Sequence, residues 1–253
     1  MANFAKILLA TGSFLLPTIV SVAMAADVVA PSAAAIPRFS SKAPGTSPQE
    51  WSFQPVRSAK QFTRYAFVRD DELGTTVLEA VADAAAGALT YRFDGDARAS
   101  AMLRFKWKPG NLIATSDPRS KAFDDYVARI YITFATDPEH ASVKERAENA
   151  IAHALYGETP PHAALAYVFT HKAALGTIIT SPYTQRVKSI VVDADPAAIG
   201  KWKSFARDIY DDYKRAFGEE PPRISGIAIM VDTDNTGEKA SARFGDITLS
   251  AKP

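Results

Sequence analysis

Two short stretches concentrate the side chains that could bind a ligand or react with one. The first is Asp124-Asp125-Tyr126-Val127-Ala128-Arg129-Ile130-Tyr131, two carboxylates opening an apolar run with an arginine inside it. A strand points alternate residues to one face, so Asp125, Val127, Arg129 and Tyr131 are expected on one side, with Asp124 and Tyr126 opposite. If that face is buried, Arg129 needs a partner, because an unpaired guanidinium in the interior is too costly. Arg129 then serves either as half of a structural ion pair or as a clamp on a polar ligand, since its fork suits both roles.

The second stretch, Asp232-Thr233-Asp234-Asn235-Thr236-Gly237, is the densest polar cluster in the chain. Carboxylates at alternate positions followed by glycine imitate the first half of a calcium loop. Position twelve of that loop is Arg243 where an EF-hand requires a bidentate glutamate, so an EF-hand is rejected. Two readings stay open: a calcium site through Asp232 and Asp234 completed by other segments, or a tight turn in which Asp and Asn bond their own backbone. A third set, Asp208, Asp211 and Asp212, falls on an expected helix. There it either lines a cleft, with Asp211 joining the site, or forms an ordinary solvated face.

Much chemistry is excluded. The four histidines, His140, His153, His162 and His171, show no H-E-x-x-H or H-x-H spacing, and the chain has no cysteine. That removes the usual zinc motifs, a thiolate nucleophile and disulfides. G-x-S-x-G, Walker A and G-x-G-x-x-G are also missing. The aromatic residues Trp51, Trp107, Trp202, Tyr126, Tyr131, Tyr167 and Tyr183 could stack on a flat ligand, although aromatics in strands are mostly core.

The elements that must position these groups read chiefly as strands. Alternating or apolar runs cover residues 62–68, 75–81, 89–93, 101–107, 127–134, 165–170, 176–180, 188–192, 224–231 and 240–249. Two stretches change period. Val143, Ala147, Ile151 and Leu155 recur every four residues, as do Phe205, Ile209, Tyr213 and Phe217, so helices are expected over 143–155 and 202–217. Gly218 and Pro221-Pro222 supply the stop of the second. Many short strands with few helices predict a mainly β, antiparallel β-sandwich with two inserted helices.

The chain opens with Lys6, an uncharged apolar run over residues 7–25, and Ala23-Met24-Ala25. This predicts a signal peptide over residues 1–25 and a periplasmic or secreted product. An uncleaved anchor is the alternative, since ~20 apolar residues span a bilayer. With no cysteine at the junction, lipoprotein anchoring is excluded. Residues 26–50, rich in Ala, Ser and Pro, read as a flexible leader, and 51–253 as one domain. Of 29 basic and 28 acidic residues, only Lys6 falls within the signal, so the remainder is near neutral. Such balance offers no electrostatic case for nucleic acid or an anionic membrane as partner.

Several of these segments together carry a family likeness. Trp202, Arg207-Asp208, Asp211-Asp212-Tyr213 and Phe217-Gly218, then residues 227–237, then Phe244-Gly245-Asp246-Ile247, resemble the bacterial exported family called domain of unknown function 3047. Asp124-Asp125-Tyr126, Arg129-Ile130-Tyr131 and Tyr167-Val168-Phe169 match its pattern too, and the likeness spans about residues 60–250. Phe169 departs from it where tryptophan is more frequent, as does Arg243-Phe244, where small and aromatic residues are common. The Gly-Asp-Ile ending is also similar to the closing strand of galactose-binding-like jelly rolls in carbohydrate-binding modules. That likeness implies a jelly-roll sandwich and, in some such domains, a structural calcium.

The residues and the resemblance together lead to one expectation. It is a non-catalytic periplasmic binding protein for a saccharide or other polar ligand, with Asp125, Tyr126, Arg129, Tyr131, Asp211, Asp232, Asp234 and Asn235 as its site. The alternatives are a carbohydrate-active hydrolase or lyase using paired carboxylates, and an envelope interaction protein in which the same clusters are structural.

Overall fold

A computed structural model describes residues 36–56, 58–136 and 161–252. Every expected strand segment is found, with ends moved by a few residues, except that the single strand expected over 240–249 is broken at Gly245-Asp246-Ile247 into two. In chain order the first six are β1 (Ser52–Pro55), β2 (Arg64–Asp70), β3 (Thr75–Asp83), β4 (Gly87–Gly95), β5 (Met102–Pro109) and β6 (Arg129–Phe134). Then come β7 (Ala163–Phe169), β8 (Ile178–Thr180), β9 (Val187–Asp193) and β10 (Lys203–Asp208). Helix α1 (Ile209–Phe217) precedes β11 (Ile224–Met230), β12 (Lys239–Phe244) and β13 (Thr248–Ser250). The helix expected over 143–155 lies outside the described residues.

The strands form two sheets. One runs β1-β4-β11-β6-β7-β9-β8, the other β10-β5-β12-β3-β2, with β13 also on β5. Pairing is antiparallel except between β7 and β9. Leu78, Leu103, Phe105, Trp107 and Phe244 of the second sheet share one apolar core with Ile130, Ile132, Leu165, Tyr167 and Ile229 of the first. This is a mainly β, two-layered architecture, as the alternation required.

Strand β7 explains why the first sheet can be buried on both faces. All seven of its residues are buried. Leu165, Tyr167 and Phe169 enter the core between the sheets, while the smaller Ala164, Ala166 and Val168 join a second apolar cluster on the opposite face. That second cluster also holds Tyr126, Tyr131, Val187 and Met230. The candidate site sits at its margin.

The expected helix over 202–217 is corrected by half. Residues 203–208 form β10, antiparallel to β5, and only Ile209–Phe217 is helical. The four-residue spacing of Phe205 and Ile209 fits a helix, yet Lys203, Phe205 and Arg207 also alternate with the exposed Ser204 and Ala206. Packing decides the matter: Phe205 stacks on Phe105 at 5.0 Å and meets Trp107 at the same distance. Asp208 then caps α1 by accepting the Asp211 N–H at 3.0 Å. Gly218, at φ +77°, closes the helix in the left-handed region.

The segment assigned to a flexible leader is seated on the body from Ile36 onward. Phe39 is fully buried, with its ring 5.6 Å from Trp51 and 5.9 Å from Phe67. The Gly45 N–H donates to the Phe67 carbonyl, and the Phe67 N–H to the Thr46 carbonyl, covering part of the outer edge of β2. Average composition concealed this, because two apolar side chains, Ile36 and Phe39, supply the anchor. Among the described residues no helix is long and apolar enough to cross a membrane.

Candidate functional site

Sheet topology brings the two polar stretches together. Arg129, the first residue of β6, stands opposite Met230, the last of β11. Asp232 follows two residues later, so the start of one strand meets the exit of its neighbour. Arg129 Nη2 donates to Asp232 Oδ2 at 2.6 Å and contacts Met230 Sδ at 3.3 Å. Asp232 Oδ1 accepts the Tyr126 N–H at 3.1 Å, and the Asp232 N–H donates to the Tyr126 carbonyl at 3.2 Å. Both charged side chains are buried, with 6% and 4% exposure.

Tyr126 and Tyr131 flank the guanidinium, their ring centroids 4.4 and 5.1 Å from Arg129 Cζ. Such contacts strengthen when desolvated. They also correct an expectation, since strict alternation set Tyr126 and Asp124 opposite Arg129. The chain bends at Val127 and Ala128, and both residues pack into the core between the sheets. Two consecutive inward residues shift the phase of alternation, and Tyr126 arrives on the Arg129 side. Asp124, Tyr126, Arg129, Tyr131, Asp232 and Asp234 thus line one recess, joined by Ser181, Tyr183 and Ser189 from around the β8–β9 hairpin.

Asp125, Asn235 and Thr236 form a closed turn beside it. Asp125 Oδ2 accepts the Thr236 N–H at 2.7 Å, and Asp125 Oδ1 accepts from Asn235 Nδ2 at 3.2 Å. Asn235 Nδ2 also reaches the Asp124 carbonyl at 3.4 Å. The Gly237 N–H donates to the Thr233 carbonyl at 2.8 Å, and Gly237 takes φ +71°. The turn is the tight one expected, but its main acceptor comes from Asp125, a residue over a hundred positions away. Asn235 is therefore bound into the turn and is absent from the lining of the recess.

Asp211 is not part of this assembly. It is exposed on α1 and pairs with Lys252 at 3.2 Å. Tyr213 seats α1 against Phe134 at 4.5 Å, at the end of β6 opposite Arg129. The neighbouring Asp212 is buried and accepts from the Arg207 guanidinium, from Arg215 at 3.0 Å and from the Tyr167 hydroxyl at 3.0 Å. This cluster ties helix to sheet and has no part in the recess.

Charge is unevenly balanced at the recess. Asp124, Asp232 and Asp234 line it with one guanidinium, a formal excess of two negative charges, and Asp125 stands in the adjoining turn. Burial pushes the Asp232 carboxyl well above the usual range; Arg129 opposes this, and Asp125, Asp234 and Asp124 add to it. Burial likewise pushes Asp124 up to about 6, against the pull of Arg129. Burial works against the Arg129 charge, but Asp232, then Tyr131 and Asp124, outweigh it and raise its pKa. Arg129 Nε is buried without an acceptor among the described residues.

One oxygen each of Asp125, Asp232 and Asp234 lies within 4.8 Å of the other two. Hard carboxylate oxygens suit calcium in kind. Asp232 is engaged by Arg129 and Asp125 by the turn, so an ion would use lone pairs that these bonds leave over, together with an oxygen of Asp234. The cavity itself is about 30 Å³. On this measure one water needs roughly 10–15 Å³, so an ion with a water or a small polar group fits and a sugar ring does not. Ser181 and Ser189 were not legible as site residues, because nothing in their spacing links them to Arg129.

Fold and site together define a mainly β protein with a buried arginine in an acidic, tyrosine-walled recess. The chain belongs to the family described as protein of unknown function (DUF3047), whose model matches residues 49–248. No curated protein matches it. Among solved structures it is similar to the family 30 carbohydrate-binding module of the cellulosomal cellulase Cel9D-Cel44B of Clostridium thermocellum, at 10% identity over 82% of this chain and 90% of that one. The TM-score is 0.36, too low to carry an argument.

Proposed function

We propose that the protein is an exported, non-catalytic binding protein for a saccharide or another polar ligand, built on a jelly-roll sandwich. Its polar contact is the Arg129 recess, which takes a small polar substituent of the ligand and leaves any ring outside. The carrying observation is the excess of carboxylates over cations there: Asp124, Asp232 and Asp234 line, with one guanidinium, a cavity that admits only a small group. A hydroxyl pair or a cationic group on the ligand offsets that excess by donating to Asp124 and Asp234. Calcium held by Asp125, Asp232 and Asp234 serves the same end. Export rests on the uncharged run and the Ala23-Met24-Ala25 site at the start of the chain.

The test is a glycan array followed by thermal-shift titration of the hits, with and without calcium. Binding that weakens at least tenfold in Asp234→Asn supports the reading. No hit in either condition, or hits indifferent to Asp234→Asn, would sink it.

One observation favours a second reading, a hydrolase or lyase. Asp124, pushed up to about 6 and lining the same recess, has the pKa a general acid needs near neutral pH. Release of reducing ends from a polysaccharide panel, abolished in Asp124→Asn, would favour catalysis over binding.

A further inference from the structure

A second concavity lies at the open margin where the outermost strands of the two sheets, β1 and β2, come together. Its volume is about 320 Å³, within the range of small-molecule sites. Trp51, Phe53, Phe62, Tyr65 and Leu89 supply apolar walls, and Arg64 is the one charged residue among the described residues that line it. Phe53 and Phe62 are 40% and 51% exposed, unusual for large apolar side chains. Their rings meet edge to face at 5.8 Å. Paired exposed rings on a concave surface mark a binding site more often than isolated ones do.

The walls are held in place before any ligand arrives. The Tyr65 hydroxyl shares its one proton between the Gly87 carbonyl at 2.8 Å and the Ile229 carbonyl at 3.1 Å, pinning that ring between the sheets. Phe53 lies directly over Gly87: a Cβ there would stand 2.5 Å from Phe53 Cζ, so only glycine admits the ring. Trp51 buries its indole N–H without an acceptor among the described residues. Arg64 is exposed and makes no ion pair among the described residues.

We propose that this groove binds a ring compound carrying a carboxylate, its apolar face against Phe53 and Phe62 and its carboxylate on Arg64. The aromatic walls select a ring with an apolar face, and the Arg64 guanidinium selects the negative charge. Uronic acids and aromatic acids share this chemistry. The site is separate from the Arg129 recess, whose excess charge has the opposite sign and would repel the same ligand.

Titrating the purified chain by heteronuclear NMR with oligogalacturonate and benzoate, each beside its neutral counterpart (oligogalactose and benzyl alcohol), tests this. At least one acid should shift the Phe53 and Phe62 resonances and bind several-fold more tightly than its counterpart. Which acid does so identifies the source. Arg64→Gln should erase that preference, and Phe62→Ala should weaken binding roughly fivefold or more. Both side chains are exposed, so neither change threatens folding. Asp234→Asn should leave the groove unaffected, which separates this proposal from the function assigned to the recess. The proposal is overturned by an absence of binding, equal affinity for acid and neutral ligand, or indifference to Phe62→Ala.

Discussion

Arg129 and Asp232 meet at 2.6 Å across a sequence separation of 103 residues, one at the start of β6 and the other just past the end of β11. Each is buried and each is the other's principal counter-charge. Removing one partner from such a pair strands the other, at a cost of about 3–5 kcal/mol. Arg129→Met and Asp232→Leu should each lower stability by about that amount in urea unfolding. The double variant should recover a good part of the loss, because two apolar side chains leave no buried charge. Strictly additive losses would mean that the two residues are not coupled.

Asp212 provides the control that separates stability from binding. It gathers Arg207, Arg215 and the Tyr167 hydroxyl at the joint between α1 and the sheets. Asp212→Ala should destabilise by about 3 kcal/mol or more, since two arginines and a buried hydroxyl lose their acceptor. Ligand affinity at the recess, measured well below the unfolding midpoint, should stay unchanged. A parallel loss of affinity would connect α1 to the site.

Asp70 contributes to the acid limb of stability. Burial raises its pKa, but the Leu73 N–H and the Arg243 and Trp202 side chains outweigh it and hold the carboxyl below the usual range. A depressed folded pKa contributes stability that is fully present above the unfolded value of about 3.9 and disappears as pH falls through the folded one. Asp70→Asn should therefore be less stable than the parent at pH 7, with the difference closing below about pH 4. Chemical unfolding across that range checks it; a gap that persists in acid would place the effect in packing.

Calcium should act through the carboxylate triad. With one oxygen each of Asp125, Asp232 and Asp234 within 4.8 Å of the other two, millimolar calcium should raise the unfolding midpoint and EDTA should reverse the rise. Asp234→Asn should abolish the response. A parent protein indifferent to calcium would leave these carboxylates to Arg129 and the turn alone.

Much of this architecture was legible in the residues, and the gaps have physical causes. Strands such as β5 and β11 declare themselves by alternation or by continuous apolar character. Strand β1 does not, because Ser52–Pro55 is short, ends in proline and takes its pairing from β4. Strand β10 hid behind a four-residue spacing that Phe205 shares with α1, and only its packing on Phe105 resolves it. The charged pair could be foreseen in type, since a strand arginine demands a partner, but not in identity. Its partner depends on β6 lying beside β11, which is a matter of topology. The bend at Val127 and Ala128 likewise escaped the two-residue rule, and with it the true side of Tyr126 and Asp124. Asp211 failed for the converse reason: helix position alone did not reveal which end of β6 the helix covers.

The recess is the centre of the account, and its most direct test is calorimetric titration of the best array hit into the parent protein and Asp234→Asn. Measured well below the unfolding midpoint of each protein, the variant should bind at least tenfold more weakly. Equal affinity in the two folded proteins would contradict the assignment of ligand binding to the Arg129 recess.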